Sequence, residues 1–127
     1  MANRILLVDD DGAFRAVAAM ALEDAGYMVV EAADAFEALD LLQEIRPDVI
    51  ISDLNMPLMD GQALCNRVRG EPHLAAIPFV ILSAYLEADG SNNPPDGLEI
   101  QADYCFSKQS PFSSLLPRLE MLIEQRN

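Results

Sequence analysis

An α/β fold built on one open parallel sheet, with helices on both faces, is what this 127-residue sequence predicts. Two observations carry that reading. Short, almost uninterrupted apolar runs recur along the chain, as strands covered on both faces require, and helix-periodic stretches separate them. Gly, Pro and Asp then mark the joints between the two kinds of segment. With 51% apolar residues the chain can bury a sizeable core, and its length suits a single domain.

The first strand is read at Ile5–Val8. A helix follows over Ala13–Ala25, where Phe14, Val17, Ala18, Ala21, Leu22 and Ala25 recur at three- and four-residue steps, and Gly26 is its C-terminal stop. The second strand is Met28–Val30. Asp34 is placed to cap a helix over Ala35–Ile45, which Pro47 closes. Val49–Ile51 is the third strand and Gln62–Arg69 the third helix, stopped at Gly70; Pro78 opens the fourth strand, Phe79–Leu82. The helix due after Ser83 runs into Gly90-Ser91-Asn92-Asn93-Pro94-Pro95-Asp96-Gly97, which Gly and paired Pro make a loop, so the fourth helix is expected to be irregular, with at most a short piece at Leu98–Ala102. By itself that stretch is first a surface insertion and only second a functional remodelling. A weaker strand at Tyr104–Phe106 and a last helix carrying Leu115, Leu119, Leu122 and Ile123 complete five strand–helix units in a doubly wound sheet.

Charge narrows the function. Eight Lys and Arg stand against 21 Asp and Glu, a formal net charge of −13. Phosphate backbones need clustered cations, so direct nucleic-acid contact is not expected; protein surfaces and divalent cations are. The apolar runs fall far short of the roughly 20 residues that cross a bilayer, and the N-terminus lacks a basic segment leading into an apolar one, so neither a membrane span nor a secretory signal is expected. Cys65 and Cys105, forty positions apart, form no metal-like pair, and a reducing cytoplasmic compartment is the simplest expectation.

In a sheet of this kind ligands gather at the carboxyl ends of the strands. Strand one ends in Asp9-Asp10-Asp11, strand three in Ser52-Asp53, strand four in Ser83 and strand five in Ser107-Lys108. Clustered carboxylates repel unless a proton or cation offsets them, and hard oxygen donors suit Mg2+. Such a site is prepared for phosphoryl chemistry, with a carboxylate as nucleophile and a hydroxyl and an ammonium to hold phosphoryl oxygens. Each piece has a plainer role as well. An Asp between a strand and a helix is commonly an N-cap, Asp53 alone could be a turn residue, Ser83 alone a strand-end hydroxyl, and Lys108 a solvated charge. Lys108 is nevertheless the only lysine in the chain, and the four features share one rim.

These residues make the chain resemble the receiver domain of response regulators in bacterial two-component signalling. The likeness rests on Leu7-Val8-Asp9-Asp10-Asp11, on Ile51-Ser52-Asp53-Leu54-Asn55-Met56-Pro57-Leu58-Met59-Asp60-Gly61, on Leu82-Ser83-Ala84 and on Ser107-Lys108, and it spans nearly all of residues 1–127. It implies a flavodoxin-like sheet in the order 2-1-3-4-5. It implies that Asp53 takes a phosphoryl group from a sensor histidine kinase or a phosphotransfer protein, and that Asp9, Asp10, Asp53 and the Asn55 carbonyl hold Mg2+. Ser83 would bond a phosphoryl oxygen and Lys108 would pair with the phosphorylated side chain. The chain would thus be a phosphoacceptor with its own phosphorylation and dephosphorylation chemistry rather than an enzyme, its partners being the phosphodonor, a downstream protein effector and potentially a second copy. The sequence to Asn127 holds no effector domain after the last helix and suits equally a stand-alone receiver or a piece of a longer regulator.

The family pattern at strand five is Gly-Ala-x-x-aromatic-x-x-Lys-Pro-Phe, whereas this chain reads Gln101-Ala102-Asp103-Tyr104-Cys105-Phe106-Ser107-Lys108-Gln109-Ser110-Pro111-Phe112. Counted back from Lys108, Cys105 holds the aromatic's place, unless a bulge returns Tyr104 to it. Gln109 replaces the proline, so a cis Lys-Pro bond cannot form there. The changes, with the Pro94-Pro95 stretch, fall on the family's output face, and the expectation is an atypical partner surface or a weakened switch. Asn55 and Tyr85 occupy the positions that influence phosphoryl lifetime in the family, and a bulky Tyr85 implies a longer-lived phosphoryl group. Three other readings compete with this one. A pseudo-receiver would bind partners without phosphorylation. A haloacid-dehalogenase-like phosphotransferase would use Asp9 as nucleophile but leaves Asp53–Gly61 unexplained. A flavodoxin-type FMN protein would suffer repulsion between the triple Asp and its cofactor phosphate.

Overall fold

The computed structural model describes residues 3–84 and 102–126; the 90–97 stretch, the Leu98–Ala102 piece up to residue 101, and Tyr85 lie outside the described residues. Five parallel strands, β1 (Arg4–Val8), β2 (Met28–Ala32), β3 (Val49–Asp53), β4 (Phe79–Ser83) and β5 (Tyr104–Ser107), form one sheet in the order β2-β1-β3-β4-β5. Four helices are described: α1 (Gly12–Asp24), α2 (Ala35–Leu42), α3 (Gly61–Arg69) and α4 (Phe112–Arg126). The doubly wound architecture and the 2-1-3-4-5 order expected from the sequence are therefore present, with α1 and α4 on one face and α2 and α3 on the other.

The strands are apolar throughout because both faces are covered. Along β1, Leu6 and Val8 join the core under α2 and α3, while Ile5 and Leu7 join the core under α1 and α4. The helix boundaries follow local chemistry. Asp11, Asp34 and Asp60 each accept backbone N–H bonds at the starts of α1, α2 and α3. Gly26, at φ +100°, takes the left-handed conformation just after α1. Three boundaries differ from the sequence reading by more than one residue. α2 ends at Leu42 rather than Ile45: the Ile45 N–H still bonds the Leu41 carbonyl at 2.9 Å, but the turns after Gln43 do not continue the helix toward Pro47. β2 and β3 each run two residues further than the apolar runs, so that β3 includes Ser52 and Asp53.

Gly61 joins the fold to the site. Its N–H bonds the Leu54 carbonyl at 2.8 Å, and a Cβ placed on it would collide with the Asp53 carbonyl oxygen and crowd the Leu54 backbone. These are backbone atoms, which cannot swing aside. Gly61→Ala is therefore expected to lower stability by about 1–3 kcal/mol, the range for overpacking a closed contact. Urea midpoints at unchanged slope measure this; a midpoint equal to wild type would show that the approach is looser than described.

Candidate functional site: an acidic pocket at the carboxyl rim

The parallel arrangement brings the ends of β1, β3, β4 and β5 to one rim. Three consecutive Asp leave β1, and they divide the work. Asp11 caps α1, accepting from the Ala13 and Phe14 N–H groups at 3.1 and 3.2 Å. Asp9 turns inward and is fully buried, its Oδ1 accepting the Asp11 N–H at 2.9 Å. Asp10 stays exposed. Across from them, Asp53 ends β3 with 5% of its surface exposed. One oxygen from each of Asp9, Asp10 and Asp53 lies within 4.8 Å of the others.

Lys108, just beyond β5, supplies the opposing charge. Its Nζ lies 2.9 Å from Asp9 Oδ2 and 3.2 Å from Asp53 Oδ1, and its backbone N–H bonds the Ser83 carbonyl at 3.0 Å. Ser83 is buried at the end of β4, paired in register with Ser107. Asn55 is exposed on the loop leaving β3. The structure thus draws Asp9, Asp10, Asp53 and Lys108 into direct proximity and places Ser83 and Asn55 on the same rim.

Electrostatics follow from burial. Desolvation, reinforced by Asp9, pushes the Asp53 carboxyl up from 3.8 to about 6 against the opposing pull of Lys108, and Asp10 adds to the rise. Burial alone would lower the Lys108 pKa, but its bonds and charge contacts with Asp9 and Asp53 hold it above the ordinary lysine value. Asp9 Oδ2 is buried, and the Lys108 ammonium at 2.9 Å is its partner among the described residues. Three convergent carboxylates are the hard donor set that Mg2+ accepts, so the residues present fit that ion.

The segment from Asp53 to Gly61 has a physical account. Met56 is buried in the α2–α3 core. The Met59 N–H bonds the Pro57 carbonyl at 2.8 Å across Leu58, whose φ of 71° is in the left-handed region and whose side chain is 95% exposed. This is a strained γ-turn. It reverses the chain so that Asp60 can cap α3 beside the site.

Strand five settles an open alternative. β4 and β5 pair regularly, Ile81 with Cys105 and Leu82 with Phe106, so no bulge shifts Tyr104. Cys105 faces the α2–α3 core, while Tyr104 and Phe106 face the α1–α4 side. Cys105 therefore occupies the place where the resemblance puts an aromatic. Gln109 uses the N–H that a proline would lack, donating to Ser107 Oγ at 3.1 Å, and its Nε2 reaches the Ala84 carbonyl at 3.4 Å. Both Cys65 and Cys105 are free and buried, and burial pushes both thiols up, Cys65 to about 11, which makes them poor nucleophiles.

Two residues near the site escaped the sequence reading. Arg15 Nη1 donates to the Asp9 carbonyl at 2.6 Å while its Nε pairs with Glu31 at 3.0 Å, pinning the loop after β1. The Phe14 ring lies 4.4 Å from Lys108 Nζ. Both sit in the first turn of α1, three and four residues after its cap, and that proximity to the acidic triplet was the available signal.

A parallel sheet ordered 2-1-3-4-5 with an acidic trio and a lysine at its carboxyl rim defines a class of signalling domain. Residues 5–120 match the response regulator receiver domain family, and the chain belongs to it. It is 35% identical over 125 residues to the response regulator MprA of Mycobacterium tuberculosis, covering 98% of this chain and 52% of that protein; the chain thus spans about half the length of this relative. Among solved structures it resembles the signal receiver domain of a signal transduction histidine kinase from Syntrophus aciditrophicus, with a TM-score of 0.84 and 34% identity over 98% of this chain and 92% of that one. It also resembles the response regulator TrrA of Thermotoga maritima in complex with Mg2+-BeF, with a TM-score of 0.80 and 26% identity over 94% of this chain and 98% of that one. No helix among the described residues is long and apolar enough to cross a membrane.

Proposed function

We propose that residues 1–127 form a receiver that accepts a phosphoryl group on Asp53 from a sensor histidine kinase or phosphotransfer protein. The observation that carries this reading is the setting of Asp53: a nearly buried carboxylate with acidic neighbours on one side and an ammonium 3.2 Å away on the other. In the transfer, an Asp53 oxygen forms a bond to phosphorus as the bond from phosphorus to the donor nitrogen breaks. Asp9, Asp10, Asp53 and the Asn55 carbonyl would hold Mg2+, which when bound would supply charge compensation for the phosphoryl oxygens. Lys108 offsets the anionic product from the opposite side, and the Ser83 hydroxyl donates to a phosphoryl oxygen.

Phosphorylation changes what Lys108 and Ser83 bond, and it biases the rim between two states that a protein partner distinguishes. With Cys105 in place of an aromatic, that readout departs from the family pattern. The partners are proteins: the phosphodonor, a downstream effector, and a second copy of the chain; the net charge of −13 disfavours nucleic acid. A cytoplasmic setting accords with the two free cysteines.

Incubation with acetyl phosphate and Mg2+ tests the reading. Intact mass should rise by one HPO3 in wild type, with no gain in chelator and none in Asp53→Asn. A gain of equal size in the variant would refute Asp53 as the acceptor.

A further inference from the structure

Among the described residues the ammonium of Lys108 faces the two carboxylates of the acidic pocket and, besides them, an aromatic ring. Asp9 Oδ2 and Asp53 Oδ1 lie at 2.9 and 3.2 Å; the ring is that of Phe14, with its centroid 4.4 Å from Nζ. The Lys108 side chain is only 16% exposed, so little water competes for that face. The ring is itself held. Phe14 lies in the first turn of α1, where its N–H bonds the Asp11 cap at 3.2 Å, and its ring meets that of Phe112 at the start of α4, with centroids 5.9 Å apart and planes tilted by 40°. The Asp9–Asp11 segment that presents the carboxylates therefore also fixes the ring that faces them across the ammonium.

We infer that Phe14 is a positioning residue for phosphoryl transfer: the negative face of its ring holds the Lys108 ammonium against Asp9 and Asp53, and Phe112 sets the angle of the ring. This rests on the phosphoacceptor reading above and deepens it. A lysine stem has four rotatable bonds, so two carboxylates on one side do not fix its head. A quadrupolar surface on the other side attracts the cation without neutralising it and leaves its N–H groups directed at oxygen. An aliphatic side chain of similar bulk would fill the same space against α4 but would supply no attraction. The contact therefore acts through the electronics of the ring, separately from its volume.

Fluorination separates the two. 3,4,5-Trifluorophenylalanine introduced at position 14 keeps the shape of the ring and weakens its negative face. With acetyl phosphate and Mg2+, phosphoryl uptake should slow about three- to fivefold in this protein and in Phe14→Leu, as expected for a partly desolvated cation–π contact, while Phe14→Tyr keeps the wild-type rate. Thermal midpoints should stay close to wild type in the fluorinated protein. Because Lys108 is the only lysine, 15N-lysine labelling gives a single side-chain ammonium resonance, which should shift and broaden on fluorination even with no phosphodonor present. Wild-type uptake and an unmoved ammonium resonance in the trifluorinated protein would overturn the role of Phe14. If wild type itself takes up no phosphoryl group, the acceptor reading fails, and the ammonium resonance alone then decides whether the ring holds the lysine.

Discussion

Replacing Lys108 with methionine is expected to destabilise the protein by about 2–4 kcal/mol at neutral pH in the presence of a chelator. Asp9 is fully buried and Asp53 nearly so, and Lys108 is the cation that lies between them. Methionine preserves much of the apolar stem but leaves two carboxylates facing each other without compensation. Removing one partner of a buried ion pair costs about 3–5 kcal/mol, and the 16% exposure of the Lys108 side chain lowers that figure here. Two conditions should restore stability: acid, which protonates Asp53, and Mg2+, which binds only the folded arrangement of carboxylates and so stabilises by mass action. Phosphoryl uptake should fall about 10- to 100-fold, since a preformed positive group opposite the developing charge is lost. Urea unfolding with and without Mg2+ checks this. A variant as stable as wild type in chelator would mean that the pocket carboxylates do not depend on Lys108.

Asp53→Asn should act in the opposite direction on stability while abolishing function. The folded chain raises the Asp53 pKa from 3.8 to about 6, so it holds that proton more tightly than the unfolded chain does. Between those values the unfolded state sheds its proton first, and each rise in pH costs the folded state stability; above about pH 6 the full penalty applies. Asparagine carries no such charge. The variant should therefore gain about 2 kcal/mol over wild type at pH 8 without metal, with the gain vanishing below pH 4 and narrowing in Mg2+. Equal stability of the two proteins at pH 8 in chelator would contradict the electrostatic account of the pocket. A site that stabilises itself by losing its acceptor is one in which charge has been concentrated for chemistry.

Much of this was legible in the sequence, for physical reasons. The strands could be read because parallel strands buried on both faces leave unbroken apolar runs, as in Ile5–Val8. The proposed acceptor was legible because Asp53 follows such a run and precedes a segment whose Pro57, Asp60 and Gly61 each answer a backbone requirement: the turn, the helix cap and the close approach to Asp53. The triple Asp is ambiguous in sequence, since capping and metal binding call for the same residue type; in the fold Asp11 caps α1 while Asp9 points inward. Strand five was ambiguous for a different reason. A period of two places Tyr104 and Cys105 on opposite faces, but a single bulge would exchange them, and the register decides for Cys105. Phe14 read as a core residue because helical periodicity records which face a side chain occupies and is silent about what meets it. The end of α2 is not legible because Ile45 continues the apolar spacing, and even a helix-like hydrogen bond to Leu41, after the helix itself has stopped.

The most direct measurement is the location of the phosphoryl group on the chain. Protein treated with acetyl phosphate and Mg2+, reduced with borohydride to trap the acyl phosphate, and fragmented for tandem mass spectrometry should carry the modification at Asp53 and nowhere else. Modification at Asp9, with Asp53 untouched, would contradict the assignment and favour a phosphotransferase that uses the first strand for its nucleophile.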